Sequence, residues 1–171
     1  MKPNSKRIIA AALGMAILTG LPYGCKKSFL DVPPQGQEEA EQFWVTPEHA
    51  AAAVASMYGN LRAWPQVAFA AIAIESVPSD DAEKGSNPTD ATFLNNFNNF
   101  TASSTEGQVQ DFWTGQYQQI NLANQVLDNV PGIQMDANLK ARYLAEAKFM
   151  RAYAYFRLVR AFGGVPLRLT V

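Results

Sequence analysis

One stretch of the sequence, residues 78–105, carries side chains suited to binding a ligand. It is rich in Ser, Asn, Asp, Thr and Gly, and Phe93, Phe97 and Phe100 are spaced through it. An irregular segment of this length inside a compact domain is usually functional or disordered. Regularly placed aromatic residues argue against disorder. We therefore interpret residues 78–105 as a functional loop; the alternative is a loop that merely folds over the neighbouring helices.

Residues for catalysis are sparse in this chain. His49 is the only histidine, so no cluster of histidines can hold a metal, and its place in the first turn of a predicted helix indicates a structural or solvent-facing role rather than a catalytic one. Asp80 and Asp81 are adjacent, and neighbouring carboxylates face different ways, which does not suit the spaced acid and base of a glycosidase. Calcium binding, a turn, helix capping and loop solvation all stay open as roles for this pair. The residues present predict a protein that is not an enzyme and that uses no cofactor.

The single cysteine, Cys25, follows a segment typical of export signals. Basic residues precede an uncharged apolar run over residues 8–21, which is shorter than the roughly 20 residues of a membrane-spanning helix. A cysteine directly after a small residue, Gly24, resembles the lipobox of bacterial lipoproteins. We therefore predict a signal peptide over residues 1–24 and diacylation of Cys25. More than one acyl chain anchors a protein stably to a membrane, so Cys25 would be the membrane anchor. An uncleaved anchor helix and an incidental free thiol are the alternatives.

Composition narrows the class of partner. The chain has 171 residues and a formal net charge of -1, whereas a phosphate-binding surface needs a marked basic excess, so no nucleic-acid partner is predicted. Apolar residues make up 48% of the chain and charged residues 17%, which is typical of a globular protein. Residues 25–40 include Pro33 and Pro34 and are predicted to form an extended, lipidated arm, with a solvated linker as the alternative.

The remaining residues, 41–171, show helical signals. Thr46 and Pro47 form a typical helix start, since the hydroxyl can cap the first turn and proline suits the first helical position. Residues 66–77 are predicted to form a buried helix rich in alanine, with a strand over 70–77 as the alternative.

Two long amphipathic helices are predicted near the end of the chain. Apolar residues recur every three or four positions over 106–130 and again over 136–162. The short connection between them predicts an antiparallel hairpin, and Gly163 predicts the end of the second helix. The fold class is therefore all-α with long irregular loops. The pattern of Trp113, Tyr117, Ala145 and Phe149 is similar to that of tetratricopeptide hairpins.

Five stretches of the sequence, taken together and in this order, carry a resemblance to a known family. They are "CKKSFLDVPPQ", "FWVTPEHAAAAVASMYGNL", "IESVPSDDA", "FWTGQYQQINLANQVLDNVP" and "LAEAKFMRAYAYFRLVRAFGGVPL". Together they resemble the SusD/RagB family of outer-membrane lipoproteins of Bacteroidetes, and the resemblance covers the chain from Cys25 to its end.

This resemblance implies a fold and a role. Members of the family are mostly helical and built on tetratricopeptide-like hairpins, and they are longer, so the chain is expected to be the N-terminal part of a larger SusD-like fold. They are surface-exposed lipoproteins of the outer membrane that bind oligosaccharides or other nutrients and cover a SusC-like TonB-dependent transporter. They are not enzymes.

The resemblance also places the expected ligand site. In the family, aromatic and polar residues of the loop after the second helical segment contribute to the glycan site, and residues 80–100 match that loop. Aromatic faces can stack on sugar rings, and amides and carboxylates can bind hydroxyls. The expected ligand-binding residues are Trp64, Asp80, Asp81, Asn95, Asn96, Phe97, Asn98 and Asn99.

A second function fits the same residues. A tetratricopeptide-like lipoprotein could face the periplasm and hold other proteins, acting as a scaffold. Location separates the two hypotheses, because a scaffold does not need to reach the outer surface.

Overall fold

The structure, a computed structural model, describes residues 43–171, so the predicted signal peptide, Cys25 and the arm lie outside the described residues. All regular structure in this part is helical, and its only bridge outside the helices is an isolated one between Ser79 and Ala82. The predicted all-α fold is therefore confirmed for these residues. The α-helices are α1 (Pro47–Asn60), α2 (Trp64–Val67), α3 (Phe69–Ala71), α4 (Leu94–Asn98), α5 (Gly107–Asn129) and α6 (Ala137–Phe162).

Local sequence signals set the ends of the long helices. The Thr46 hydroxyl oxygen accepts a hydrogen bond from the His49 backbone N–H at 3.4 Å at the start of α1. The Asp136 carboxylate accepts one from the Leu139 N–H at 2.8 Å at the start of α6. Gly163 ends α6 with φ +74°, a left-handed conformation that glycine adopts without steric cost. These boundaries agree with the sequence prediction.

Helices α5 and α6 form the predicted antiparallel hairpin. Ile120 packs with Ala154 and Leu158, whereas Val126, further along α5, packs with Ala147, which lies earlier on α6. The order of contacts is reversed between the two helices, which defines the antiparallel direction. Helix α1 completes the main core, where its buried face meets both helices of the hairpin.

The segment that follows α1 is helical but broken. Helices α2 and α3 are separated at Ala68, whose ψ of -145° interrupts the helical hydrogen bonding. A π-helix, Ile72–Ser76, then continues α3. The predicted helix over 66–77 is therefore present in pieces, and the alternative strand is wrong. In α2, before the break, Gln66 is buried and Trp64 is exposed.

Helix α6 exposes an apolar stripe on the face turned away from the core. Phe149 and Phe156 are 67% and 58% exposed, and Tyr153 and Val159 lie on the same side.

No helix between residues 43 and 171 has both the length and the apolar character needed to cross a membrane.

The last residues lie extended along the α5–α6 hairpin and are held through their main chain. The Tyr117 hydroxyl donates to the Pro166 carbonyl at 2.7 Å. The buried Asn124 amide donates to the carbonyls of Arg168 and Thr170, each at 3.0 Å. Burial raises the pKa of Tyr117, with the nearby Tyr155 adding to the effect, so the phenol stays a hydrogen-bond donor. Because these contacts are made to main-chain carbonyl groups, they hold residues 166–170 along the hairpin whatever side chains those residues carry.

Candidate functional site

A polar cavity lies at the start of the functional loop. It has a volume of about 400 Å³ and brings Asp80, Asp81 and Asn98 together, three of the residues expected to bind a ligand. Asp80 and Asp81 are exposed, and Asn98 is half-buried. The other lining residues are Ser79, Ala82 and Glu83.

Short-range hydrogen bonds shape the acidic side of this cavity. The Ser79 hydroxyl donates to the Ser76 carbonyl at 2.7 Å, at the end of the π-helix. The same hydroxyl oxygen accepts from the Asp81 N–H at 3.3 Å. Serine therefore joins the helix end to the turn that carries the two aspartates, a side-chain turn of the kind that Ser commonly makes.

Asn98 is contributed to the cavity by α4, which is anchored in a small core of its own. Leu94 and Phe97 of α4 pack against Ala73 and Val77 from the π-helix and the residue that follows it. Because α4 is only five residues long, this apolar contact, rather than intrinsic helix stability, holds it in place. Anchoring α4 here places Asn98 at the cavity that the two aspartates also line.

Phe97 does not serve the role that the sequence suggested. Its side chain is 3% exposed and is one of the core contacts of α4. A ring buried in this way offers no face to a sugar, so the expectation of a ligand-binding Phe97 is corrected to a structural role. The aromatic residue exposed in this part of the loop is Phe100, at 76%.

The other expected asparagines differ in their surroundings. Asn96 is half-buried, and its amide donates to the Glu106 carboxylate at 2.7 Å, which ties α4 to the start of α5. Asn95 and Asn99 are exposed and do not line the cavity. Only Asn98 of this series shares the cavity with the aspartates.

Trp64 lies on a separate surface. Its ring is 61% exposed and makes an edge contact with Phe69 at a centroid distance of 5.7 Å. Phe69 makes a similar contact with Phe93 at 5.8 Å. This row of aromatic rings connects α2 to the loop, but Trp64 is not among the residues that line the cavity.

A buried arginine, which the sequence reasoning missed, holds the segment that leads into the cavity. The Arg157 guanidinium donates to both carboxylate oxygens of Glu75, at 2.8 and 2.7 Å. It also donates to the Gln66 side-chain oxygen at 2.7 Å and to the Gln66 main-chain carbonyl at 3.0 Å. Glu75 belongs to the π-helix, so this bidentate pair ties the base of the loop to α6.

One signal in the sequence could have identified this contact. Arg157 lies seven residues after Met150 and three after Ala154, positions that share the buried face of α6. A charged residue on an apolar face requires a buried partner. The partner itself was not predictable, because Glu75 is distant in the sequence and is presented by a π-helix.

The lining of the cavity is suited to hydrogen bonding. Three carboxylates and an amide around an open polar cavity offer acceptors and one amide donor to a polyhydroxylated ligand. Within residues 43–171, no group of three or more His, Cys, Asp or Glu residues is placed to hold a metal ion.

Comparison with known proteins identifies similar sequences. Residues 28–171 match the profile of the SusD-like family, described as starch-binding and associating with the outer membrane. The chain is 30% identical over 146 residues to SusD-like protein P2 of Formosa agariphila, which covers 84% of this chain and 28% of that protein. It is 33% identical over 152 residues to SusD-like protein P38 of the same organism, covering 88% of this chain and 28% of that protein.

A third relative comes from another genus. The chain is 31% identical over 147 residues to a SusD-like protein of Bacteroides ovatus, covering 84% of this chain and 26% of that protein. The chain thus spans about a quarter of the length of these relatives.

Proposed function

The chain belongs to the SusD-like family, and from this premise we propose that it is a lipid-anchored protein of the outer cell surface that binds oligosaccharide or another nutrient. It delivers the ligand to a partner TonB-dependent transporter in the outer membrane. The family's description as starch-binding and outer-membrane-associated supports the ligand class and the membrane. The anchor, the surface location and the transporter are argued from the resemblance of the sequence to the family.

The observation that carries the binding role is the cavity formed by Asp80, Asp81 and Asn98. Sugar hydroxyls donate to carboxylates and exchange hydrogen bonds with amides, and all three side chains reach this cavity. Within the described residues, neither aspartate takes part in an ion pair, and both are exposed. The surrounding loop is fixed by the α4 core and by Arg157, which keeps the site pre-formed.

Replacing Asp81 and Asn98 together with alanine should weaken glycan binding by roughly 5- to 100-fold. Each lost hydrogen bond is expected to contribute about 0.5–1.5 kcal/mol, and neither side chain is part of the main core. The affinity of the full-length protein for maltoheptaose, a linear starch oligosaccharide, is measured by isothermal titration calorimetry.

A matched control comes from the same loop. Asp90 is exposed and does not line the cavity, so Asp90→Ala removes a carboxylate without touching the site. It should bind maltoheptaose like the unaltered protein. If the double variant binds maltoheptaose as tightly as the control, the cavity is not the binding site. A panel of other soluble glycans then tests whether the proposed ligand class itself is wrong.

Replacing Cys25 with alanine should abolish lipid labelling and release the protein from the outer membrane. Without the thiol there is no site for acylation, and the signal cannot be processed as a lipoprotein signal. Metabolic labelling with a clickable fatty acid and membrane fractionation report on the anchor. Ser28→Ala, which keeps the cysteine, is the matched control and should stay anchored.

Two experiments on intact cells distinguish the proposed role from the scaffold alternative. Cross-linking of the tagged full-length protein in intact cells should recover a large TonB-dependent barrel, and external protease should remove the tag. Recovery of periplasmic proteins alone, with the tag protected from protease, would establish the scaffold instead.

A further inference from the structure

Two buried glutamines of α5 each carry one side-chain atom without a hydrogen-bond partner. Gln116 and Gln119 are both 0% exposed. Among residues 43–171, neither the Gln116 Oε1 nor the Gln119 Nε2 makes a hydrogen bond. An unpaired polar atom in the interior costs free energy, so native proteins rarely leave one without a partner. These two atoms therefore require a partner that the surrounding side chains do not supply.

The other atom of each amide is already bonded, and each bond leads to a different helix. The Gln119 Oε1 accepts from the side-chain amide of Asn60, the last residue of α1, at 2.7 Å. The Gln116 Nε2 donates to the Gln66 Oε1 of α2 at 2.9 Å. Residues three apart on a helix are neighbours. The two unpaired atoms therefore belong to adjacent side chains whose amides are held by different helices.

The chemistry of Arg157 determines which atom of Gln116 is unpaired. A guanidinium carries donors only, and it bonds to the Gln66 side chain at 2.7 Å, so the Gln66 atom at this contact must be the oxygen. The Gln116 atom that bonds to the same oxygen must then be the nitrogen. The unpaired atom of Gln116 is therefore an oxygen, which is an acceptor.

We propose that a water molecule is bound in the core between Gln116 and Gln119. Water has the matching chemistry, because it can donate to the Gln116 Oε1 while it accepts from the Gln119 Nε2. If the amides of Asn60 and Gln119 were both reversed, their mutual bond would persist and Gln119 would present its oxygen. The same water would then donate to both glutamines. In either arrangement it has the two polar partners that a buried water needs at least.

This water joins two sets of buried hydrogen bonds into one network. On one side, Asn60 links the end of α1 to α5. On the other, Gln66 of α2 bonds to Arg157 of α6, which in turn bonds to Glu75 of the π-helix that precedes the glycan cavity. The hydrogen bonds then run from α1 to the base of the loop. The water site lies outside the cavity, so it does not depend on the proposed function.

A crystal structure of the full-length protein, at a resolution that shows ordered water, tests the site directly. It should show a water within about 3.2 Å of one side-chain atom of Gln116 and one of Gln119. A direct hydrogen bond between the two amides, or no water between them, would overturn the proposal. Crystals of Gln116→Met should lack this water, because its acceptor is lost. Gln118→Met changes an exposed residue of the same helix and should retain it.

The shared water also predicts that the two glutamines are coupled in stability. Gln116→Met and Gln119→Met should each lower the Tm of the full-length protein by about 1–3 °C. The double variant should lower the Tm by clearly less than the sum, because either single substitution already releases the water. Additive losses would contradict a shared water. Gln118→Met, the surface control, should leave the Tm unchanged. If a core variant does not fold, the structure of the unaltered protein still decides.

Discussion

Replacing Arg157 with methionine should lower the free energy of unfolding by about 3–5 kcal/mol, measured by urea denaturation of the full-length protein. The guanidinium is 6% exposed and bonds to Glu75 and Gln66. Methionine retains much of the apolar volume beside the Phe112 ring, which lies 5.0 Å from the guanidinium carbon. The loss therefore comes from removing the donor of the Glu75 carboxylate and of the Gln66 main-chain carbonyl, whereas the Gln66 side-chain oxygen still accepts from the Gln116 amide at 2.9 Å.

A matched control lies on the same helix. Arg142 forms an ion pair with Glu146 at 2.8 Å, but its side chain is 69% exposed. Water replaces such a partner with little loss, so Arg142→Met should leave the free energy of unfolding almost unchanged. A similar effect of both substitutions would contradict the importance of burial.

The coupling of Arg157 to Glu75 can be measured directly. If the two side chains act mainly on each other, Glu75→Gln should lower the free energy of unfolding much less in the Arg157→Met variant than in the unaltered protein. Additive effects would mean that Gln66, not Glu75, is the partner that matters. Glu75 belongs to the π-helix that directly precedes the residues of the cavity. Arg157→Met and Glu75→Gln, each made alone, are therefore also expected to weaken maltoheptaose binding.

Replacing Gly115 with alanine should destabilise the protein by about 1–3 kcal/mol, although alanine is the better helix former. A Cβ at this position would lie 2.7 Å from the Pro65 Cβ, well inside van der Waals contact. Relief requires α2 to move away from α5, which would stretch the 2.6 Å hydrogen bond from the Gln66 amide to the Gly115 carbonyl. Urea denaturation measures the change.

Gly59→Ala serves as the comparison for this prediction. Gly59 lies in the last turn of α1, and a Cβ there would meet nothing within 4 Å. The substitution should therefore leave the free energy of unfolding unchanged or raise it by up to about 1 kcal/mol. A loss comparable to that of Gly115→Ala would show that glycine itself, rather than close packing, matters at both positions.

The helices could be predicted because their signals are local. Thr46 and Asp136 cap helices within three residues along the chain, and Gly163 ends one through its own backbone. The apolar repeat of the two long helices identified their buried faces for the same reason. The break at Ala68 had no such signal: both flanking segments are rich in apolar residues, and the nearby hydrogen bond from Gln66 to the Gly115 carbonyl is a contact between residues distant in the sequence.

The candidate site was predicted only in part. Composition located the loop, and Asp80, Asp81 and Asn98 meet in one cavity. The same composition could not distinguish Phe97 from Phe100, because the two residues share their type and their polar neighbours. Packing buries the first and leaves the second in solvent.

The sequence by itself determined the helical class, the limits of the long helices and membership of the SusD-like family, since these depend on residues close together along the chain or on ordered motifs. Only the tertiary structure decided which loop residues reach the cavity and which partner neutralises Arg157. Those outcomes depend on contacts between residues as distant as Glu75 and Arg157, whose geometry arises when the helices pack. Local propensity contains no information about such contacts.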